Sequence, residues 1–241
     1  MTTLARITIA LILALLFSSC GFDIDFGSGE KGNGMVREEN RTVNGDFNAV
    51  SASEGLDVFI SQGGEFKILV EADENIIDLI ATDLDDGTLK IHTRKNIGRA
   101  TKNIHVTLPK IIALNASSGS DLSTIGPIHT EILDINVSSG ADMEITEIKS
   151  DKINVDSSSG ANIEITGETN TLYTNASSGS GIDAVDLRTD QCSADASSGA
   201  NITVNVSESL IAEASSGGNI RHTGTAKVEN RKTVSGNVTH F

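Results

Sequence analysis

The sequence has no tryptophan, one tyrosine and two prolines, and it sets 18 lysines and arginines against 33 aspartates and glutamates. Each shortage bounds the function. A net charge of −15 leaves no basic footprint to displace counterions from phosphates, which argues against nucleic-acid binding. The same sign disfavours docking on anionic lipid through a polybasic face. Aromatics at 3% make stacking platforms for bases or sugars scarce. Two prolines beside 23 glycines speak for many tight turns rather than long linkers. Apolar residues at 38% and charged ones at 21% are too apolar a mixture for a wholly disordered chain. The 241 residues allow one or two domains.

At the start, Arg6 precedes an apolar run from Ile7 to Phe17 that ends in Ser18-Ser19-Cys20. A short basic lead, an apolar stretch too brief to span a bilayer and small residues at its end describe a signal peptide over residues 1–19. The tetrapeptide Phe17-Ser18-Ser19-Cys20 resembles a bacterial lipobox, with Phe where Leu is commoner. That resemblance implies acylation of Cys20 on its sulfur, cleavage on its N-terminal side and acylation of the new amine. Several acyl chains make a stable anchor where one is marginal. From Gly21 to Arg41 there are five glycines and no hydrophobic periodicity, so residues 20–42 are expected to be a flexible tether. The expected location is therefore the cell envelope, exported and lipid-anchored at the outer membrane, on either the surface or the periplasmic face.

The remainder is organised by a repeat. Ser-Ser-Gly recurs at Gly119, Gly140, Gly160, Gly179, Gly199 and Gly217, 18 to 21 residues apart, with a shifted Ser-Gly copy at Gly236. Around each glycine the apolar residues alternate, as in Leu133/Ile135/Val137 before Gly140 and Met143/Ile145 after it. The other copies follow suit, from Ile112/Leu114/Ala116 to Ile220/His222. Period two with one apolar face is a half-buried strand, and no helical template fits. Twenty residues at about 3.3 Å each close a circuit of roughly 65 Å, the perimeter of a parallel β-helix coil. Repeats of this length announce a solenoid. Each corner glycine then needs either a positive φ or a close backbone approach.

Residues 43–113 are less regular. Asp57, Val58 and Ile60 fall where later copies carry Asx and inward apolar residues, Asn75–Ile80 reads as a short helix, and Asp86-Gly87 as a turn into the alternating Thr88–His92. Terminal repeats of solenoids are atypical because they must cap a sticky edge. The region is expected to be the N-terminal cap and first coils, with a separate small α+β domain as the alternative.

Phe47-Asn48-Ala49-Val50, Gly55-Leu56-Asp57-Val58, Asp86-Gly87-Thr88-Leu89 and the Ser-Ser-Gly-x-Asx-Leu/Ile series together resemble one family. It is the head GIN domain family of auto-transporter adhesins, once catalogued as a domain of unknown function and common among Bacteroidetes lipoproteins. The resemblance covers roughly residues 43–241. It implies an all-β, right-handed parallel β-helix similar to pectin lyases, no recognised catalytic set, and a role in adhesion inferred from shape.

The outward positions hold the candidates for chemistry. Glu144, Glu164 and Asp183 share one slot in successive coils, and Asp121 and Asp142 share another. A hydrolase needs a pair of carboxylates, and a lyase carboxylates with Ca²⁺ and a basic Arg or Lys, on one outward face. No Arg or Lys recurs beside these, no aromatic subsite accompanies them, and outward acids are read as a solvated face. Asp121, Asp142, Asn162, Asn201 and Asn219 fall in one slot that resembles a calcium β-roll. Three of the five are amides and Gly181 interrupts them, whereas a hard cation wants six or more oxygens and ample negative charge. This row, and the row Asn115, Asn136, Asp156, Asn175, Asp195 and Glu213, are read instead as stacked Asx ladders. His92, His105, His129, His222 and His240 show no metal-ligand spacing. The paired serines have no recurring base. Cys192 occupies the inward slot of Leu133, Ile153 and Leu210, which makes it a buried small hydrophobe.

The expectation is a non-enzymatic, lipid-anchored envelope protein without cofactor or metal, presenting a repetitive polar wall to a protein or glycan as an adhesin. The alternatives are a periplasm-facing structural or signalling scaffold and a glycan-active β-helix enzyme. An exposed terminal coil over Val234–Phe241 makes homo-oligomers conceivable.

Overall fold

The computed structural model describes residues 29–241; the expected signal peptide and Cys20 lie outside them. Seventeen strands form one continuous sheet. In chain order they are β1 (Val36–Arg41), β2 (Ala49–Ala52), β3 (Asp57–Gln62), β4 (Lys67–Asp73), β5 (Ile80–Asp85) and β6 (Thr88–Thr93). Then follow β7 (Lys102–Leu108), β8 (Ala113–Ala116), β9 (Asp121–Thr124), β10 (Ile128–Val137), β11 (Asp142–Ser157) and β12 (Asn162–Ala176). The series ends with β13 (Gly181–Ala196), β14 (Asn201–Ser215), β15 (Asn219–Thr223), β16 (Lys227–Val234) and β17 (Asn237–His240).

The alternating apolar positions stack into columns, as a parallel β-helix requires. Leu133, Ile153, Leu172, Cys192, Leu210 and Val228 stand in parallel register in successive coils. Met143, Ile163, Ile182, Ile202, Ile220 and Val238 make a second column. Ile128, Ile148, Gly167 and Leu187 belong to a third. One hydrophobic cluster runs unbroken from Phe47 to Ile220, and each fully buried Leu, Ile or Val in it contributes about 1.5–3 kcal/mol. Just after each corner glycine lies a further inward slot, filled by Ser120, Ala141, Ala161, Ser180, Ala200 and Gly218, all buried. Ile112, expected inward, is only half-buried, and Ile111 is fully buried instead. The chain is still bending after Pro109 there, and alternation begins with β8.

Two consecutive left-handed residues make each corner. In Ser138-Ser139-Gly140-Ala141, Ser139 has φ 57° and Gly140 φ 69°, and the Ala141 N–H closes the turn on the Ser138 carbonyl at 3.2 Å. The same pair of positive φ values recurs at Ser118/Gly119, Ser159/Gly160, Ser178/Gly179, Ser198/Gly199 and Ser216/Gly217. Corners are also bonded to one another. The Gly119, Gly140, Gly160, Gly179 and Gly199 N–H groups each donate to the carbonyl of the left-handed serine one coil on, at 3.1–3.2 Å.

The order of the first coils in space differs from their order in sequence. β2 and β3 lie between β6 and β7 on one side and β8 and β9 on the other, all parallel. The chain thus lays down its second coil beneath its first, then climbs over both. Antiparallel strands close this end: β5 pairs with β6, β4 with β7, and β1 with β4. The outermost, Val-Arg-Glu-Glu-Asn-Arg in β1, is charged and exposed, which blunts an edge against further pairing. Between Asn75 and Ile80 there is only a single 3-10 turn, Ile77–Leu79.

The expected tether needs correction from residue 29 onward. Residues 29–41 are part of the cap. Glu30 bridges Ile97, and the buried Asp73 carboxylate accepts the N–H groups of Gly34 at 2.5 Å and Thr101 at 2.7 Å. Asn75 bonds the Asn33 N–H and the Lys31 carbonyl. Glycine-rich sequence here means close approach rather than freedom: a Cβ on Gly29 would lie 2.4 Å from the Gly98 nitrogen.

Gly140→Val and Gly167→Ala test the corner geometry. A Cβ at Gly140 meets nothing within 4 Å, so only its left-handed backbone is penalised, by about 1–2 kcal/mol. Gly167, at φ 132°, would drive a Cβ to 2.1 Å from the Ile148 carbonyl oxygen and should lose more. Denaturant unfolding reads both; a neutral Gly140→Val would contradict the corner described.

Candidate functional site

Since the interior is filled by side chains, chemistry is confined to the outer walls, and register decides which residues meet there. On the wall after the corner, one outward row runs Asn103, Asp57, Asp121, Asp142, Asn162, Gly181, Asn201, Asn219 and Asn237. Amides relieve its charge. Asn162 Nδ2 donates to Asp142 Oδ1 at 2.9 Å and Asn219 Nδ2 to Asn201 Oδ1 at 3.3 Å. Asn162 Oδ1 also covers the gap at Gly181, where a Cβ would stand 3.0 Å from it. The Asx ladder expected from the sequence is thus present as hydrogen bonds between coils.

The neighbouring row places Glu144, Glu164 and Asp183 side by side in three coils, as their spacing predicts. Together with Asp121, Asp142 and Asn162 they border a shallow groove of about 440 Å³. Its lining contains no lysine, arginine or histidine. Asp121 has its carboxyl held above the ordinary range, first by burial and then by the charges of Asp57 and Asp142 and a hydrogen bond with Asp57; Lys102 pulls it back.

The wall before the corner carries the second predicted row, Asn115, Asn136, Asp156, Asn175, Asp195 and Glu213, in register. Asn136 Nδ2 donates to Asn115 at 3.2 Å and Asn175 Nδ2 to Asp156 at 3.1 Å. Where two acids adjoin without an amide, Asp195 is raised, by burial and then by Glu213. A parallel row holds Asp134, Asn154, Tyr173 and Ser193, with Asn154 Nδ2 donating to Asp134 at 2.6 Å.

Sequence reasoning missed a third wall. His129, Lys149, Glu168 and Arg188 stack there, and Lys149 pairs with Glu168 at 2.6 Å. Under them lies a row of hydroxyls, with Ser150 Oγ donating to Thr169 Oγ1 at 3.1 Å. The two cations stand two coils apart, a signal visible only once repeats are aligned on this wall.

These walls and their N-terminal cap match a known family. The family described as "Putative auto-transporter adhesin, head GIN domain" covers residues 46–226. The chain belongs to it. This head GIN domain is similar in structure to "a putative adhesin" from Bacteroides fragilis, with TM-score 0.79 and 20% identity over 88% of this chain and 100% of that one. It is similar as well to a "putative adhesin" from Parabacteroides distasonis, with TM-score 0.72 and 20% identity over 88% of this chain and 100% of that one. A third likeness is to a "putative lipid binding protein" from the same species, with TM-score 0.70 and 18% identity over 88% and 98% of the two chains. At these identities the likeness is one of fold. No curated protein matches the chain.

The remaining candidates are scattered through the head GIN domain. His92 meets Asp83 at 2.9 Å, His105 stacks on Phe59 with centroids 4.9 Å apart, and His222 meets His240 edge-on at 5.1 Å. Among the described residues no three His, Cys, Asp or Glu side chains come together to hold a metal ion. Cys192 is 4% exposed. Burial pushes its thiol up to about 12, against a small opposing pull from Thr174. A thiolate is the reactive form, so alkylation at pH 8 should leave Cys192 unmodified in the folded protein and label it fully in denaturant. Mass spectrometry of the peptide containing it reads both; rapid native labelling would contradict its inward slot.

The Asp121 shift carries a pH dependence. A carboxyl raised on folding holds its proton more tightly folded than unfolded, so its ionised form opposes folding at neutral pH. That opposition vanishes as pH falls below the ordinary carboxylate range. Asp121→Asn should therefore raise the melting temperature at pH 7, with the difference from wild type narrowing towards zero on acidification. A lower melting temperature at pH 7 would show that the carboxylate stabilises the fold.

Proposed function

We propose that the chain is an exported, lipid-anchored and non-enzymatic envelope protein that adheres to a repetitive partner, a protein or a glycan, through its polar walls. The observation that carries this reading is the regular outward row, in which similar side chains recur once per coil, about 4.8 Å apart. A partner with its own repeat meets such a row through many weak contacts at once, and linked weak contacts give avidity without any single strong site. Membership of an adhesin family agrees with it.

The non-enzymatic part rests on the acidic groove. Glu144, Glu164 and Asp183 adjoin one another with no basic residue in the lining to stabilise the anion of a lyase reaction, and with no aromatic side chain there to seat a sugar ring for a hydrolase's carboxylate pair. The anchor rests on the Phe17-Ser18-Ser19-Cys20 sequence. Among the described residues no helix is long and apolar enough to cross a membrane.

Protease shaving of intact cells tests the reading, alongside a Cys20→Ala variant. Intact cells should lose the signal for residues 43–241, and Cys20→Ala should move the protein from the membrane to the soluble fraction. Protection until the outer membrane is opened would defeat adhesion and favour a periplasmic scaffold. Unchanged fractionation of Cys20→Ala would defeat the anchor.

A further inference from the structure

Tyr173 is the chain's one tyrosine, and it is 47% exposed on a wall whose other outward apolar side chains include Ile132, in the row of Lys152, and Ile211, next to Ser193. Strand alternation explains why it points outward, since Leu172 and Thr174 on either side are buried. It does not explain why a large aromatic ring stands where adjoining coils carry Asn154 and Ser193. Burying an aromatic ring is worth more than burying most side chains, and here nearly half of the residue is left in water.

The surroundings of the ring are specific. Lys152 Nζ lies 4.8 Å from its centroid. Two amide–carboxylate pairs stand beside it: Asn154 of the adjoining coil with Asp134 of the coil beyond at 2.6 Å, and Asn175 of the ring's own coil with Asp156 of the adjoining one at 3.1 Å. Ser193, in the next coil, is small enough to leave the ring standing proud. Lys152, Tyr173, Ser193 and these pairs line an open groove of about 520 Å³.

We propose that this groove binds an uncharged glycan, with one pyranose ring stacked on Tyr173 and its hydroxyls bonded by Asp134, Asn154, Asp156 and Lys152. A sugar has apolar C–H faces and a rim of hydroxyls that each donate and accept. It is met by an aromatic face beside fixed donors and acceptors, the usual division of labour in a ligand site. Asp134 and Asp156 supply acceptors, while Asn154 and Lys152 supply donors. Because the pairs are held by their own hydrogen bonds, little side-chain freedom is lost on binding. Charge selects against acidic polymers: a chain of net charge −15 with two carboxylates at the ring repels a polyanion. This inference rests on the adhesin reading and names its partner.

The protein carries its own reporter, since with one tyrosine and no tryptophan the intrinsic emission comes from Tyr173 alone. The experiment titrates the full chain with dextran, an α-mannan and a mixed-linkage β-glucan, with polygalacturonate and heparin as acidic probes. At least one neutral glycan should change the tyrosine emission saturably, and the acidic probes should not. By calorimetry Tyr173→Ala should weaken that binding by about tenfold or more, as the loss of roughly 1.4 kcal/mol would. Tyr173→Phe, which keeps the ring face, should bind as wild type, and both variants should melt as wild type does. Unchanged emission with all three neutral glycans, equal binding by Tyr173→Ala, or preference for the polyanions would each overturn the site. Surface shaving with no glycan response would retain the adhesin reading while sinking this one; glycan binding by a protease-protected protein would do the reverse.

Discussion

From Gly119 to Gly217 each coil turns on a serine and a glycine in left-handed conformation, and the glycine N–H is bonded to the serine carbonyl of the coil above. That single bond recurs from Gly119 to Gly199 at 3.1–3.2 Å, and the rest of the molecule depends on it. A strand's side chains alternate between faces, so a slip of one residue would put every inward Leu and Ile outside. The corner forbids the slip, because its two adjacent positive φ values call for a glycine at the second position, after serine in the repeats and after Glu54 in the first coil, and that glycine stands at the same point of each circuit. A left-handed serine is itself disfavoured, and the gain from keeping a continuous column of buried aliphatic side chains outweighs that cost.

The constraint acts equally on the outer faces. Equal coils place equivalent side chains about 4.8 Å apart, a spacing at which like charges repel through only partly screened surroundings. The walls answer with amides. Asn162 beside Asp142, Asn175 beside Asp156 and Asn154 beside Asp134 each turn a neighbouring pair of charges into a hydrogen bond. Where the amide is missing, at Asp57–Asp121–Asp142 and at Asp195–Glu213, burial and then the neighbouring charges push the carboxyls of Asp121 and Asp195 towards their protonated form. Amides thus break up the charge along much of these rows, whereas Glu144, Glu164 and Asp183 stand together with none between them.

Much of this is legible in the residues. Ser-Ser-Gly every twenty positions states the coil length, and alternation around it states which side chains are inside, down to the inward Cys192 and His222. The stacking of Glu144, Glu164 and Asp183 follows from the same count. Other features are set by contacts that no spacing announces. β2 lies between β6 and β8 because strands far apart in the chain close on each other, and the sequence order of those coils gives no hint of it. Residues 29–35 read as tether because Gly29 and Gly32 look like freedom, yet both are glycine so that backbone and the Asp73 carboxylate can approach. The third wall escaped notice because Lys149 and Arg188 sit far from the glycine corners used to align the repeats.

A perfectly regular wall would bind any partner of the right spacing and recognise none. Avidity comes from repetition, but discrimination needs a place where one partner fits and another is refused. The departures from the repeat supply it. Gly181 breaks the Asx row and draws Asn162 over the gap. Arg221 introduces a cation in the slot of Glu144, Glu164 and Asp183, and it lies 4.4 Å from the Phe241 ring. Tyr173 puts an aromatic face among amides. None of these is asked for by the coil, whose corners and inner columns are complete without them, and Asp121 sits where its charge works against folding. The repeat builds a stiff, evenly spaced support; the identity of what it holds is written in the residues that interrupt it.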